Sequence, residues 1–147
     1  MVTLIDREFT VNVPLERAWQ QLAQLDKWPT WAHHIKEIEV HPQGELGPQS
    51  SGVIHLANGM KSTFRMTEFN RWRNWKWVGR FLWLMIHYDH RFESLSSHQT
   101  RLRFVIEARG FGVGFFGQLF AKVYRRNLEK AIPRLVTEME KDRIPDP

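Results

Sequence analysis

The sequence predicts an α+β fold: a curved antiparallel sheet of six to seven strands wrapped around one long C-terminal helix, with two short helices after the first strand. Three observations predict it. The chain opens on an alternating run that stops at Pro14. Further strand-like runs follow, parted by Gly, Pro, Asn and Ser. Beyond Gly110 the apolar period lengthens from two residues to nearly four. At 147 residues, 42% of them hydrophobic, the chain reads as one domain, 1–147, large enough to bury a core.

In the first run Phe9, Val11 and Val13 alternate with Glu8, Thr10 and Asn12, the pattern of a strand with one buried face. Pro14 ends it and can open a helix, because a fixed φ and a missing N–H cost little in a first turn. Leu15, Ala18, Trp19, Leu22 and Leu25 then recur at helical spacing until Asp26 and Pro29 interrupt them. A second short helix is expected around Trp28–His34, with Thr30 as its cap. In the run Ile35–His41 the alternation is imperfect: Lys36, Ile38 and Val40 share one face, and Ile35, Glu37, Glu39 and His41 the other. Pro42–Ser51 reads as a loop.

Strands are expected at Gly52–Ala57, Lys61–Phe69, Arg73–Gly79, Leu84–Ser94 and Arg101–Ala108. Asn58-Gly59 marks a tight hairpin in which both turn positions want positive φ. Phe120, Tyr124, Leu128, Ala131, Leu135 and Met139 form the apolar stripe of a helix of roughly six or seven turns. Pro133 removes a backbone hydrogen bond inside that helix, so a bend is expected there rather than an end.

Composition excludes several classes. Without cysteine there is neither a disulfide scaffold nor a thiol nucleophile. No apolar run approaches the roughly 20 residues that cross a bilayer. The N-terminal residues lack a basic leader and an apolar core, so a cytoplasmic protein is expected. The net charge of +5 is scattered along the chain and points weakly to any polyanion.

Val13-Pro14-Leu15-Glu16-Arg17-Ala18-Trp19 resembles the strand-to-helix passage "Pro-x-Glu-x-Val-Trp" of the START-like (SRPBCC) superfamily, with Ala18 where that family more often has Val. Trp28-Pro29-Thr30-Trp31 and the strand beginning Ile35-Lys36-Glu37-Ile38 are similar to its "Trp-Pro-x-Trp" and the strand after it. His90-Arg91-Phe92-Glu93 resembles a strand segment of its polyketide cyclase/dehydrase and lipid-transport branch. Thr100-Arg101-Leu102, Gly110 and the last helix complete the order. The resemblance implies a helix-grip fold with a deep hydrophobic cavity. It also implies a ligand such as a lipid, sterol, isoprenoid quinone, plant hormone or polyketide, and in some members cyclisation or dehydration. A Rieske iron–sulfur domain would need cysteine ligands that this sequence lacks, so no cofactor is expected.

Matched to the helix-grip order, Phe64, Met66, Trp75, Trp77, Tyr88, His90, Phe92, Leu102, Phe104 and Ile106 point inward at the two-residue period of one sheet face. Phe120 and Tyr124 close the opposite wall. Such a lining suits a large apolar or flat ligand; packed on itself, it is simply core. Tyr88 and His90 are the polar members. They could enolise a β-keto chain, as a cyclase requires, or His90 could merely bond a backbone carbonyl. Both a carrier, chaperone or sensor and a cyclase/dehydratase therefore remain open, the scarcity of ionisable groups favouring binding.

No metal site is expected, because His87 and His90 fall on opposite faces of a strand and no His-Glu-x-x-His occurs. The stretch from Arg109 to Gly117 lacks the Gly-Lys-Ser/Thr ending of a phosphate loop. Its Phe111, Phe115 and Phe116 are expected to cover the pocket mouth or make transient contact with a membrane. Asn70-Arg71-Trp72-Arg73-Asn74-Trp75-Lys76-Trp77 interleaves bases and aromatics, but a stacking platform needs exposed tryptophans, and no nucleic-acid partner is expected.

Overall fold

A computed structural model describes residues 1–141. The chain forms strand β1 (Val2–Val11), helix α1 (Leu15–Ala23) and a 3-10 turn (Leu25–Thr30). Strands β2 (Ile35–His41), β3 (Ser51–Leu56), β4 (Lys61–Asn70), β5 (Asn74–Phe81), β6 (Leu84–Ser96) and β7 (Gln99–Arg109) follow. A π-helical turn (Val113–Gly117) leads into helix α2 (Gln118–Glu140). The strands make one seven-stranded antiparallel sheet in the order β1-β7-β6-β5-β4-β3-β2. β1 therefore closes onto the last strand, and the remaining strands run as a meander. This is the helix-grip arrangement, with α2 against the inner face. Among the described residues no helix is long and apolar enough to cross a membrane.

Pro14 stands at the head of α1 and its carbonyl accepts the first helical bond, from the N–H of Ala18, at 3.0 Å. Ala18, Trp19 and Leu22 form the buried stripe of α1. The second short helix lies earlier than the sequence predicts, at Leu25–Thr30, and Thr30 ends it rather than starting it. The Thr30 hydroxyl donates back to the carbonyl of Lys27 at 2.6 Å. The physical reason is Trp28, whose indole N–H donates to the carbonyl of Leu22 at 2.8 Å and draws the turn back against α1.

Two bulges alter the faces read from alternation. One lies between Thr3 and Ile5 in β1 and places Leu4 and Ile5 both in the core. The other lies between Ile35 and Glu37 in β2 and buries Ile35 together with Ile38, which strict alternation puts on opposite faces. The β3–β4 hairpin forms as expected but not by the expected turn. Only Gly59 has positive φ, at 91°, and its N–H reaches the carbonyl of Leu56 at 3.0 Å.

α2 runs without a break through Pro133. Its burial is uneven: Ala121, Leu135 and Met139 are fully enclosed and Ala131 nearly so, while Phe120 and Tyr124 near its start are only half-buried.

Candidate functional site

The ten inward strand positions share one sheet face through direct cross-strand register. Met66 pairs with Trp77, Trp77 with Tyr88 and Tyr88 with Ile106; Trp75 pairs with His90, His90 with Phe104, and Phe92 with Leu102. Phe64 sits opposite Gly52 on β3 and packs its ring 4.6 Å from that of Trp77. Strand pairing thus places in a single layer what the sequence distributes over more than 40 positions, from Phe64 to Ile106.

Much of this layer is filled by its own rings. At one end Trp19 of α1 lies 4.9 Å from both Trp75 and Phe92 and 5.7 Å from Phe69. In the middle Trp28 contacts Trp31, Trp77 and His90 at 5.1, 5.6 and 6.0 Å. Toward the other end Phe120 stacks on Tyr124 at 5.5 Å and packs 5.2 Å from Phe81. Between the middle and this end an internal cavity of about 40 Å³ remains. That is room for a few waters, well short of the roughly 150 Å³ that admits benzene. The deep cavity implied by the family resemblance is therefore nearly closed in this conformation, because the two short helices insert Trp19 and Trp28 between the strands and α2.

Five of the twelve residues expected to bind ligand line this cavity: Tyr88, His90, Phe104, Ile106 and Tyr124. Phe64, Met66, Trp75, Trp77, Phe92 and Leu102 are buried in the surrounding packing, and Phe120 stands behind the lining, stacked on Tyr124 and edge-on to Tyr88. The rest of the lining includes Trp28, Trp31, Ala32, His34 and Ile35, with Leu128 and Ala131 of α2. None of these seven is among the residues expected to bind ligand. The Trp28-Pro29-Thr30-Trp31 motif holds Trp28 and Trp31, and the apolar stripe of α2 holds Leu128 and Ala131; neither pattern by itself says that they line a cavity.

His90 is the chemical centre of the cavity. Its Nδ1 lies 3.2 Å from the carbonyl oxygen of Trp75, which can only accept. The proton is therefore on Nδ1, leaving Nε2 as a bare acceptor. Burial pushes the imidazole pKa down to about 4, against the opposing pull of that carbonyl and of Asp89. Burial also raises the Tyr88 phenol far above its ordinary value and the Tyr124 phenol to about 12, and lowers His34. The two phenol rings lie 5.8 Å apart. At neutral pH these groups are all uncharged. They can exchange hydrogen bonds with a guest but offer it no ionic partner.

Asp89 also borders the cavity, but its carboxylate is engaged on the opposite side of β6. It accepts from Arg91 Nε at 2.7 Å and from Asn74 Nδ2 at 2.8 Å, a network that satisfies a carboxylate only 3% exposed. His87 lies on this outer side too, away from His90. Trp75 and Trp77 are 0% and 2% exposed, so no base could stack on them. An open cleft of about 850 Å³ between α1, β2 and the loop after it is lined by Asp26, Glu37, Glu39, Glu45 and Arg71. These are ordinary solvated side chains without a converging geometry.

Comparison with known proteins places this arrangement. Residues 3–140 match the family described as polyketide cyclase / dehydrase and lipid transport. Among solved structures, a hypothetical protein from Helicobacter pylori is similar at 14% identity and a TM-score of 0.75, covering 91% of this chain and 86% of its own. The Zhui aromatase/cyclase from Streptomyces sp. R1128 shows 16% identity and a TM-score of 0.69, covering 93% of each chain. A START superfamily protein from Mycobacterium smegmatis shows 13% identity and a TM-score of 0.68, covering 92% of this chain and 97% of its own. At these identities the likeness is one of fold. No curated protein matches the sequence.

Proposed function

Because the chain belongs to the polyketide cyclase/dehydrase and lipid transport family, we propose that it holds a hydrophobic small molecule of lipid, isoprenoid or polyketide type between the sheet and α2. It acts as a carrier, chaperone or sensor. The observation that carries this reading is an apolar cavity whose inward titratable groups, His90, Tyr88 and Tyr124, are all held uncharged. A neutral interior suits a neutral guest. The bare Nε2 of His90 favours a guest that brings a hydroxyl to donate, and the two phenols can donate to a carbonyl.

The resting cavity is smaller than any such ligand, so binding requires an opened form. The least enclosed wall is the start of α2, where Phe120 and Tyr124 are half-buried, and displacement of their stacked rings would extend the cavity toward the Phe81 end of β5.

A cyclase of the kind named in the Streptomyces neighbour is the competing reading. It is disfavoured by His90: a general base works best with a pKa near the operating pH, and an imidazole held near 4 is a weak base at neutrality. Nor do the described residues that line the cavity include a Lys or Arg to take up enolate charge. Native mass spectrometry and organic extraction of the purified protein test the proposal. An apolar adduct at one copy per chain is expected. Protein that carries none and takes up no hydroxylated apolar probe would overturn it.

A further inference from the structure

The end of the molecule at the β5–β6 turn and the start of α2 presents large apolar side chains that the fold does not use. Phe111 is 88% exposed, Phe115 72%, Val123 58%, Leu82 52%, Leu119 50% and Trp83 49%. They come from three elements: the β5–β6 turn, the glycine-rich loop after β7, and the first turns of α2. The loop is tied in place. Trp83 Nε1 donates to the carbonyl of Phe111 at 2.7 Å, and the Trp83 ring meets Phe116 edge-on at 4.8 Å. Gly110 and Gly112 turn the chain there with φ of 144° and 72°. The phenylalanines are therefore held outward by a built structure, and an exposed apolar cluster of this kind marks a binding surface.

Its charge identifies the occupant. Segments 80–86 and 108–127 contain Arg80, Arg109, Lys122, Arg125 and Arg126 and no Asp or Glu. Arg80 and Arg109 flank Met85 in cross-strand register, and neither makes an ion pair among the described residues. On α2, Leu119, Lys122, Val123 and Arg126 fall at i, i+3, i+4 and i+7, one exposed face that alternates apolar and cationic groups. Apolar tips rimmed by cations, with no anion between them, match a bilayer surface of negative charge. We propose that this end of the protein docks on anionic lipid membranes, with Phe111, Phe115 and Leu82 entering the headgroup boundary and Lys122 and Arg126 lying against the lipid phosphates. This surface stands independently of the interior reading, and its failure would leave that reading intact.

Co-sedimentation with vesicles of phosphatidylcholine alone, and of phosphatidylcholine mixed with phosphatidylglycerol, tests the proposal. The protein is expected to pellet with the anionic vesicles at low salt, to be released as salt rises, and to ignore the neutral ones. Lys122→Gln with Arg126→Gln should lower partitioning roughly 25-fold, on about fivefold per charge. Phe111→Ser with Phe115→Ser should lower it at least tenfold with an unchanged circular dichroism spectrum. Arg134→Gln, about 18 Å further along α2 than Lys122 at 1.5 Å per residue, should have no effect. Absence of binding at low salt, equal binding to neutral vesicles, or insensitivity to the phenylalanine changes would each overturn the proposal. So would self-association through this patch in place of vesicle binding, seen by sedimentation velocity and lost in the phenylalanine variant.

Discussion

His90 donates a hydrogen bond from Nδ1–H to the carbonyl oxygen of Trp75, 3.2 Å away across the β5–β6 ladder, and so keeps an unprotonated Nε2 inside an apolar cavity. The pairing fixes the tautomer, the ring orientation and the polarity that a guest meets. Replacing His90 by Phe keeps a ring among Trp28, Trp75, Trp77 and Phe104 but removes the Nδ1–H bond to the Trp75 carbonyl, which the β5–β6 ladder still pairs, at about 0.5–1.5 kcal/mol. His90→Ala also empties the ring's volume and should cost about 2–4 kcal/mol. Urea denaturation would rank the two. With either variant, and with Tyr88→Phe, calorimetric titration should show weakened affinity for a hydroxylated apolar ligand. Unchanged affinity in all three would remove His90 and Tyr88 from the ligand site.

The same imidazole makes the fold acid-sensitive. Its pKa is about 4 when folded and near 6.5 when unfolded, so as pH falls the unfolded chain takes up the proton first. The contribution is therefore complete above about pH 6.5 and is lost as pH drops toward 4, at most ~3 kcal/mol in total. His34 and His87 are lowered as well and push in the same direction. Asp6, held down by Arg103, loses its contribution only below the ordinary carboxylate range. Melting temperature measured from pH 7.5 to 4.5 should decline through this window, and His90→Phe should flatten the decline.

Cavity volume should control binding from the α2 side. Ala131 and Leu128 both line the cavity and are buried. Ala131→Phe adds more volume than the roughly 40 Å³ present, and should abolish ligand uptake at a cost of about 1–3 kcal/mol. Leu128→Ala should cost about 2–5 kcal/mol but leave room for a larger guest. Uptake of an apolar fluorescent probe, read against thermal stability, separates the two effects.

Gly52 is required by close approach rather than by backbone conformation. A Cβ there would stand 1.9 Å from the carbonyl oxygen of Glu39 and 2.8 Å from the ring of Phe64. Gly52→Ala must push β2 away or displace Phe64 from Trp77, and should cost about 2–3 kcal/mol. Gly47→Ala, with nothing within 4 Å, should cost far less. Chemical denaturation of both variants checks the contrast.

These relationships explain what the sequence made legible. Alternation identified the inner face wherever strands pair regularly: Trp75, Trp77, His90 and Phe104 lie where the two-residue period puts them. It failed at the bulges near Leu4 and Lys36, since one extra backbone residue leaves no mark on composition. The pull of Trp28 on the 3-10 turn was invisible because it depends on a bond to the carbonyl of Leu22, an atom every residue carries. Cavity size was unreadable for a similar reason. The number of aromatic side chains follows from the sequence, but whether they stack on one another or stand apart depends on how far Trp19 and Trp28 reach inward.

The central claim is that the guest lies between the sheet and α2, and ligand-perturbed NMR spectra test it most directly. Titration with 2-naphthol, a flat apolar molecule with one hydroxyl, should shift the resonances of Leu128 and Ala131 methyls, the Tyr124 ring and the His90 imidazole together, saturating at one site. Shifts confined to the open cleft around Gln20, Glu37 and Arg71, with those four residues unmoved, would contradict it.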